Sequence, residues 1–188
     1  MPRQPHGRPH LKMKISLRGT DPMIWRNVLV PGAMPLNKLH SVIQAAMGWQ
    51  DSHLHVFEIN GQRYGVLDLE PEEEEADLDE YGVQVHGLLA EGDRFTYEYD
   101  FGDSWIHDIE VEAVNKIDGP AGIATCLDGA RACPPENCGG TSGFADFVEI
   151  MADPAHLGHQ EMVSWFGGSF DPEFFDLSET NERIRGLR

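Results

Sequence analysis

The sequence predicts one α+β domain with a mixed or largely antiparallel sheet. Three observations lead there: apolar and polar residues alternate with period two near residues 11–17 and 94–113, one early stretch changes to helical spacing, and the remaining helical stretches follow the strands. A length of 188 residues suits one core.

Leu11, Met13, Ile15 and Leu17 alternate with Lys12, Lys14, Ser16 and Arg18, and Ile24 to Val30 reads as the return strand of a hairpin ended by Pro31 and Gly32. Residues 1–10, rich in proline, are expected to form a disordered arm before a domain spanning 11–188. From Pro35, the apolar residues Leu36, Leu39, Ile43, Ala46 and Met47 fall on one helical face, and Gly48 suits the carboxy-terminal cap. His40 borders that stripe and reads as a partly buried structural histidine. His53 to Ile59, the turn Asn60-Gly61 and Gln62 to Val66 make a second hairpin. A short stretch of undetermined type covers Gly82 to Leu89. Phe95, Tyr97, Tyr99 and Phe101 then give a strand an aromatic inner face, and after Gly102-Asp103-Ser104 the residues Trp105, His107, Ile109, Val111 and Ala113 share one face of its partner. Asp118 to Gly143 reads as a long loop, followed by short helices near Phe144 to Met151, Ala155 to Phe166 and Ser178 to Arg185.

Composition narrows the function. Lys plus Arg number 14 against 32 Asp plus Glu, a formal charge of −18, which disfavours a nucleic-acid clamp. The carboxylates concentrate in an acidic loop, Glu70 to Glu80, read as solvated. Nothing resembles a membrane span, and the first ten residues lack the apolar core of a signal peptide, so a cytoplasmic location is expected. No phosphate loop, nucleophile elbow or dinucleotide fingerprint occurs.

Two groups of residues could carry chemistry. The turn from Asp100 through Asp103 to Trp105 and His107, with His53, gathers carboxylates and imidazoles into a candidate ligand-binding or acid/base cluster. His107 projects with apolar neighbours, where its ring must find a partner, and a structural hydrogen bond is the competing explanation for it. Cys126, Cys133 and Cys138 lie six and four residues apart, and three thiolates with one imidazole, from His55, His53 or His107, would make a closed zinc site. The competing explanation there is a loop shaped by Pro134-Pro135 and Gly139-Gly140 without metal. His156 and His159 read as exposed polar residues.

Lys14-Ile-Ser-Leu-Arg, Ile24-Trp-Arg, Ser52-His-Leu-His-Val-Phe, Tyr99-Asp-Phe-Gly-Asp-Ser-Trp-Ile-His, Cys133-Pro-Pro-Glu-Asn-Cys-Gly-Gly and Phe170-Asp-Pro-Glu-Phe-Phe-Asp stand together in this chain. In that combination, from about Leu11 to Arg185, it resembles the plasmid pRi open-reading-frame-three-like family, some members of which carry a resolvase-type name as passengers of an insertion element. The resemblance implies a compact α+β domain with no established activity. Asn137 stands where the family more usually shows Asp, which weakens a catalytic reading of that corner. The resolvase name does not transfer, because a serine recombinase needs arginines around its serine and a basic DNA-binding element. The expectation is therefore a non-enzymatic module that binds a protein or small ligand, associated with plasmid or mobile-element genes and motivated in part by Trp49, Trp105 and Trp165 as exposed aromatics. The alternatives are a metal-dependent enzyme using the His/Asp cluster and, against the charge, a DNA-acting accessory of transposition.

Overall fold

A computed structural model of the chain describes residues 7–67, 78–118 and 122–187. Among these residues an eight-stranded sheet carries five helices. The strands are β1 (Arg8–Leu17), β2 (Trp25–Pro31), β3 (His55–Ile59), β4 (Gln62–Gly65), β5 (Leu78–Asp79), β6 (Arg94–Tyr99), β7 (Trp105–Ile117) and β8 (Thr125–Ala130). The helices are α1 (Leu36–Met47), α2 (Val85–Leu88), α3 (Gly140–Ala152), α4 (His159–Phe166) and α5 (Leu177–Arg185). Strand order is β5-β4-β3-β6-β7-β1-β2-β8, antiparallel throughout except for the short parallel pairing of β4 with β5. The architecture is thus the expected α+β domain with a largely antiparallel sheet.

Alternation decides which face is covered. Leu11, Met13, Ile15 and Leu17 of β1, Phe95, Tyr97 and Tyr99 of β6, and Trp105, Ile109 and Val111 of β7 are buried in one core with Leu36, Leu39 and Ile43 of α1. The opposite face bears Lys12, Arg18, Arg94, Asp108, Glu110 and Glu112, which pair across strands as Lys12–Glu112, Arg18–Asp108 and Arg94–Glu110. Helix α1 begins after Pro35 and stops at Gly48, whose φ of 93° is the left-handed conformation glycine adopts without strain. Helix α5 packs against both α1 and β8.

Several expectations change. β1 begins at Arg8, so residues 8–10 belong to the sheet and His10 is buried; residues 1–6 of the expected arm lie outside the described residues. The expected loop of 118–143 contains β8, where only Cys126 is fully buried, so no period-two signal marks this edge strand. Most of the acidic loop lies outside the described residues, but Asp79 is in β5, and Glu80 is 1% exposed rather than solvated. Gly82 to Leu89 contains α2. Phe101 leaves the aromatic face, because β6 ends at Tyr99 and Asp100 turns the chain with a positive φ. No helix among the described residues is long and apolar enough to cross a membrane.

Gly140 fixes the start of α3 against the β6–β7 turn: its φ is +69°, and a Cβ there would sit 2.7 Å from the Asp103 carbonyl oxygen. Gly140→Ala is expected to destabilise the chain by about 2 kcal/mol or more through combined strain and clash, measured as a lower urea midpoint at unchanged slope.

Candidate functional site

The site is built where α1 ends over β3 and β6. His40 and Gln44 lie one helical turn apart on the buried face of α1, above Tyr97 at the centre of β6. The Tyr97 hydroxyl lies 2.8 Å from His40 Nδ1 and accepts a hydrogen bond from Gln44 Nε2 at 3.0 Å. Beyond Gly48 the chain folds back: the Asp51 N–H donates to Gln44 Oε1 at 2.9 Å, and Asp51 Oδ1 lies 2.8 Å from His40 Nε2. One proton assignment satisfies every atom, with Tyr97 donating to Nδ1 and Nε2–H donating to Asp51.

His55, the first residue of β3, stacks on His40 with ring centroids 3.5 Å apart and planes at 7°. Its Nε2 lies 2.8 Å from Glu80 Oε2, which gives this buried carboxylate its partner. Burial lowers the pKa of His40, and neighbouring His55 lowers it further against the pull of Asp51 and Glu80. Burial pushes Tyr97 well above the ordinary phenol range.

An outer layer lies beside this one. Tyr99 donates to Glu136 Oε1 at 3.0 Å and accepts from the Ser52 N–H at 2.9 Å, while the Gln50 N–H donates to the same Glu136 oxygen at 2.9 Å. Trp49 Nε1–H donates to the Pro134 carbonyl at 2.9 Å, so residues 49–52 are stitched to residues 134–136. Burial raises Tyr99 to about 12. His53 precedes β3, and its Nε2 stands 3.4 Å from Asp100 Oδ2 and 3.9 Å from Glu136 Oε2 without forming a hydrogen bond to any described residue. Asp51, Asp100, Ser104 and Asn137 all have positive φ, between 52° and 59°, a conformation that Asp and Asn tolerate better than most residues. Such residues concentrate where loops are held by their surroundings.

Of the residues expected to form a site, His53 and Asp100 come together at the rim. Asp103 turns away and accepts from the Gly139 N–H at 3.1 Å. Trp105 and His107 are sealed in the core beneath: His107 Nδ1 lies 3.3 Å from the Tyr97 carbonyl oxygen, while its Nε2 and Trp105 Nε1 have no hydrogen-bond partner among the described residues. Burial pushes His107 down to about 4. Trp49 and Trp105 are also buried, which leaves Trp165 alone of the three tryptophans expected to be exposed.

The set Cys126, Cys133, Cys138 and His55 is not drawn together. Cys126, on β8, places its Sγ 3.4 Å from the Asp128 carbonyl oxygen, and Cys133 Sγ lies 3.1 Å from Met47 Sδ. Cys138 lines a cavity of about 450 Å³ with Phe147, Met162 and Trp165, and His55 is engaged by Glu80. Burial raises all three thiols, Cys138 to about 12, so none is poised as a thiolate. His156 and His159 are not partners on one helix, since α4 starts at His159, and His159 is half-buried with its Nδ1 2.9 Å from the Ile150 carbonyl oxygen. Sequence reasoning missed His40, Asp51, Glu80 and Glu136 as site residues. The one available signal was the spacing of His40 and Gln44 on α1, two polar groups on a face otherwise apolar.

Residues 9–179 match the plasmid pRiA4b ORF-3-like protein family. The chain belongs to this family. It is 37% identical over 182 residues to the uncharacterized protein y4hQ of Sinorhizobium fredii, covering 94% of this chain and 91% of the relative. It is also similar to the crystal structure of a protein of unknown function from Methanosarcina mazei Go1, at 30% identity and a TM-score of 0.82, covering 94% of this chain and 98% of the other. The fold is thus shared with the Methanosarcina mazei chain, while neither relative's description states an activity.

Tyr97→Phe is expected to strand the two groups its hydroxyl satisfies and to cost about 1–3 kcal/mol in chemical denaturation. His107 is neutral in the folded chain down to about pH 4. Its unfolded value is about 6.5. The unfolded chain therefore takes up the proton first, and the contribution present above pH 6.5 is lost as pH falls towards 4. For a fully buried ring this amounts to about 3 kcal/mol. His107→Phe should flatten the dependence of unfolding free energy on pH across that window.

Proposed function

We propose that this chain is a non-enzymatic binding module that takes up a small cationic ligand at its histidine–carboxylate corner. The observation that carries this reading is the rim group His53, Asp100 and Glu136. An imidazole nitrogen stands between two carboxylates at 3.4 and 3.9 Å, without a hydrogen bond to any described residue, in a side chain 30% exposed. Carboxylates gathered about a partly exposed imidazole favour a protonated amine or a guanidinium.

Binding rather than turnover is supported by the condition of the available nucleophiles. The thiols are held protonated by burial, and Ser104 Oγ already donates to Glu98 Oε1 at 2.7 Å. Nucleic acid is disfavoured as a partner, because Lys12, Arg18 and Arg94 are each paired with a carboxylate on the exposed sheet face and the chain carries a charge of −18. An association with plasmid genes accords with the family's description, and a cytoplasmic role is part of the same proposal.

The test is a thermal-shift titration of the purified chain with agmatine and spermidine. At least one of these should raise the melting temperature, and Glu136→Gln should diminish the rise several-fold while keeping the hydrogen bonds that Glu136 accepts. No stabilisation by either, or stabilisation indifferent to Glu136→Gln and His53→Ala, would refute the proposal; so would substrate turnover abolished by His53→Ala.

A further inference from the structure

We propose that the imidazolium form of His53 is a built-in competitor for the cationic ligand of this corner, so that ligand uptake displaces a proton and weakens as pH falls. This competition rests on the rim being a cation site and names what regulates that site. Each rim carboxylate is pinned through one oxygen and presents the other. Asp100 Oδ1 accepts from the Gly102 and Asp103 N–H groups at 3.0 and 3.3 Å, while Oδ2 faces His53 Nε2 at 3.4 Å. Glu136 Oε1 accepts from the Gln50 N–H at 2.9 Å and the Tyr99 hydroxyl at 3.0 Å, while Oε2, 3.3 Å from that hydroxyl, faces His53 Nε2 at 3.9 Å. Two oxygens therefore converge on one ring nitrogen.

Such a pair suits one positive charge, and two cations can supply it. Protonated, His53 carries the charge itself, and a small approach of the ring turns the 3.4 Å contact into a charge-assisted hydrogen bond. Neutral, it leaves both oxygens to an incoming ammonium or guanidinium. The two cations exclude one another, because they would stand about the same oxygens beside carboxylates only 9% and 18% exposed, where water screens charge weakly. The other groups about the ring bring no competing titration. Tyr99 meets it edge-on with centroids 5.8 Å apart, and burial raises this phenol to about 12, so it stays protonated. Asp51 is turned to His40, Asp103 to the Gly139 N–H and His55 to Glu80.

Calorimetric titration of the full chain tests the coupling, with whichever of agmatine and spermidine raises the melting temperature as the probe. Imidazoles titrate between about pH 5 and 8, a range over which these probes remain cationic. Affinity should fall about tenfold from about pH 8 to about pH 5.5. At about pH 6, binding compared in two buffers of different ionisation enthalpy should release about half a proton or more. His53→Gln, with its fold checked by circular dichroism, should bind with less than about a twofold change over the same range and release no proton. Should that variant bind too weakly to measure, proton release by the unmodified chain decides. Equal affinity at both pH values, binding without proton release, or a pH dependence that survives His53→Gln would each overturn the competition and leave the cation site standing. If neither amine binds even at the alkaline end, the site itself falls and the competition with it.

Discussion

The Tyr97 hydroxyl is the constraint around which this structure is arranged. A phenol at the middle of a sheet, under a helix, cannot reach water, so its oxygen must be met from above. In this chain the helix supplies both partners, His40 and Gln44, from successive turns. Each of those then has a second polar atom to satisfy, and Asp51 meets both, one through its backbone N–H and one through its carboxylate. A single buried oxygen therefore sets the rotation of α1 about its axis and the course of the chain that leaves it.

The same logic repeats one pair of residues along β6. Tyr99 lies closer to the rim, and its hydroxyl is met by loops rather than by a helix: Ser52 on one side and Glu136 on the other. Two tyrosines on one strand thus organise an enclosed layer and an accessible one. The opposite face of the sheet works by different means. Its charged side chains pair across strands in water, where each pair contributes little to stability and chiefly lowers the local field.

Much of the fold was legible in the sequence because burial imposes periodicity. The alternation of β1, β6 and β7 and the stripe of α1 were visible for that reason, and the Asn60-Gly61 turn declared its own hairpin. β8 was not, since an edge strand buries too few side chains to show an alternation, and β5 is only two residues long. Of the site, Asp100 was found because it lies in a turn crowded with carboxylates, and His53 because it opens a predicted strand. His40 was taken for a structural ring and Glu80 for one more charge in an acidic run, because their partners are distant in sequence: Tyr97 for the first and His55 for the second. The cysteines misled in the opposite way. They are neighbours along the chain, but Cys126 is committed to an edge strand while Cys133 and Cys138 lie in the following segment, each with different surroundings.

The stitching of residues 49–52 to residues 134–136 spans about half the chain, with separations of 85 and 86 positions. Contacts of such long range are closed only once the intervening strands have taken their places, since loop-closure entropy opposes them until then. The corner therefore has no autonomous existence: no peptide cut from either half can reproduce it, and a chain nicked anywhere between those segments keeps it only while the sheet itself keeps the halves together.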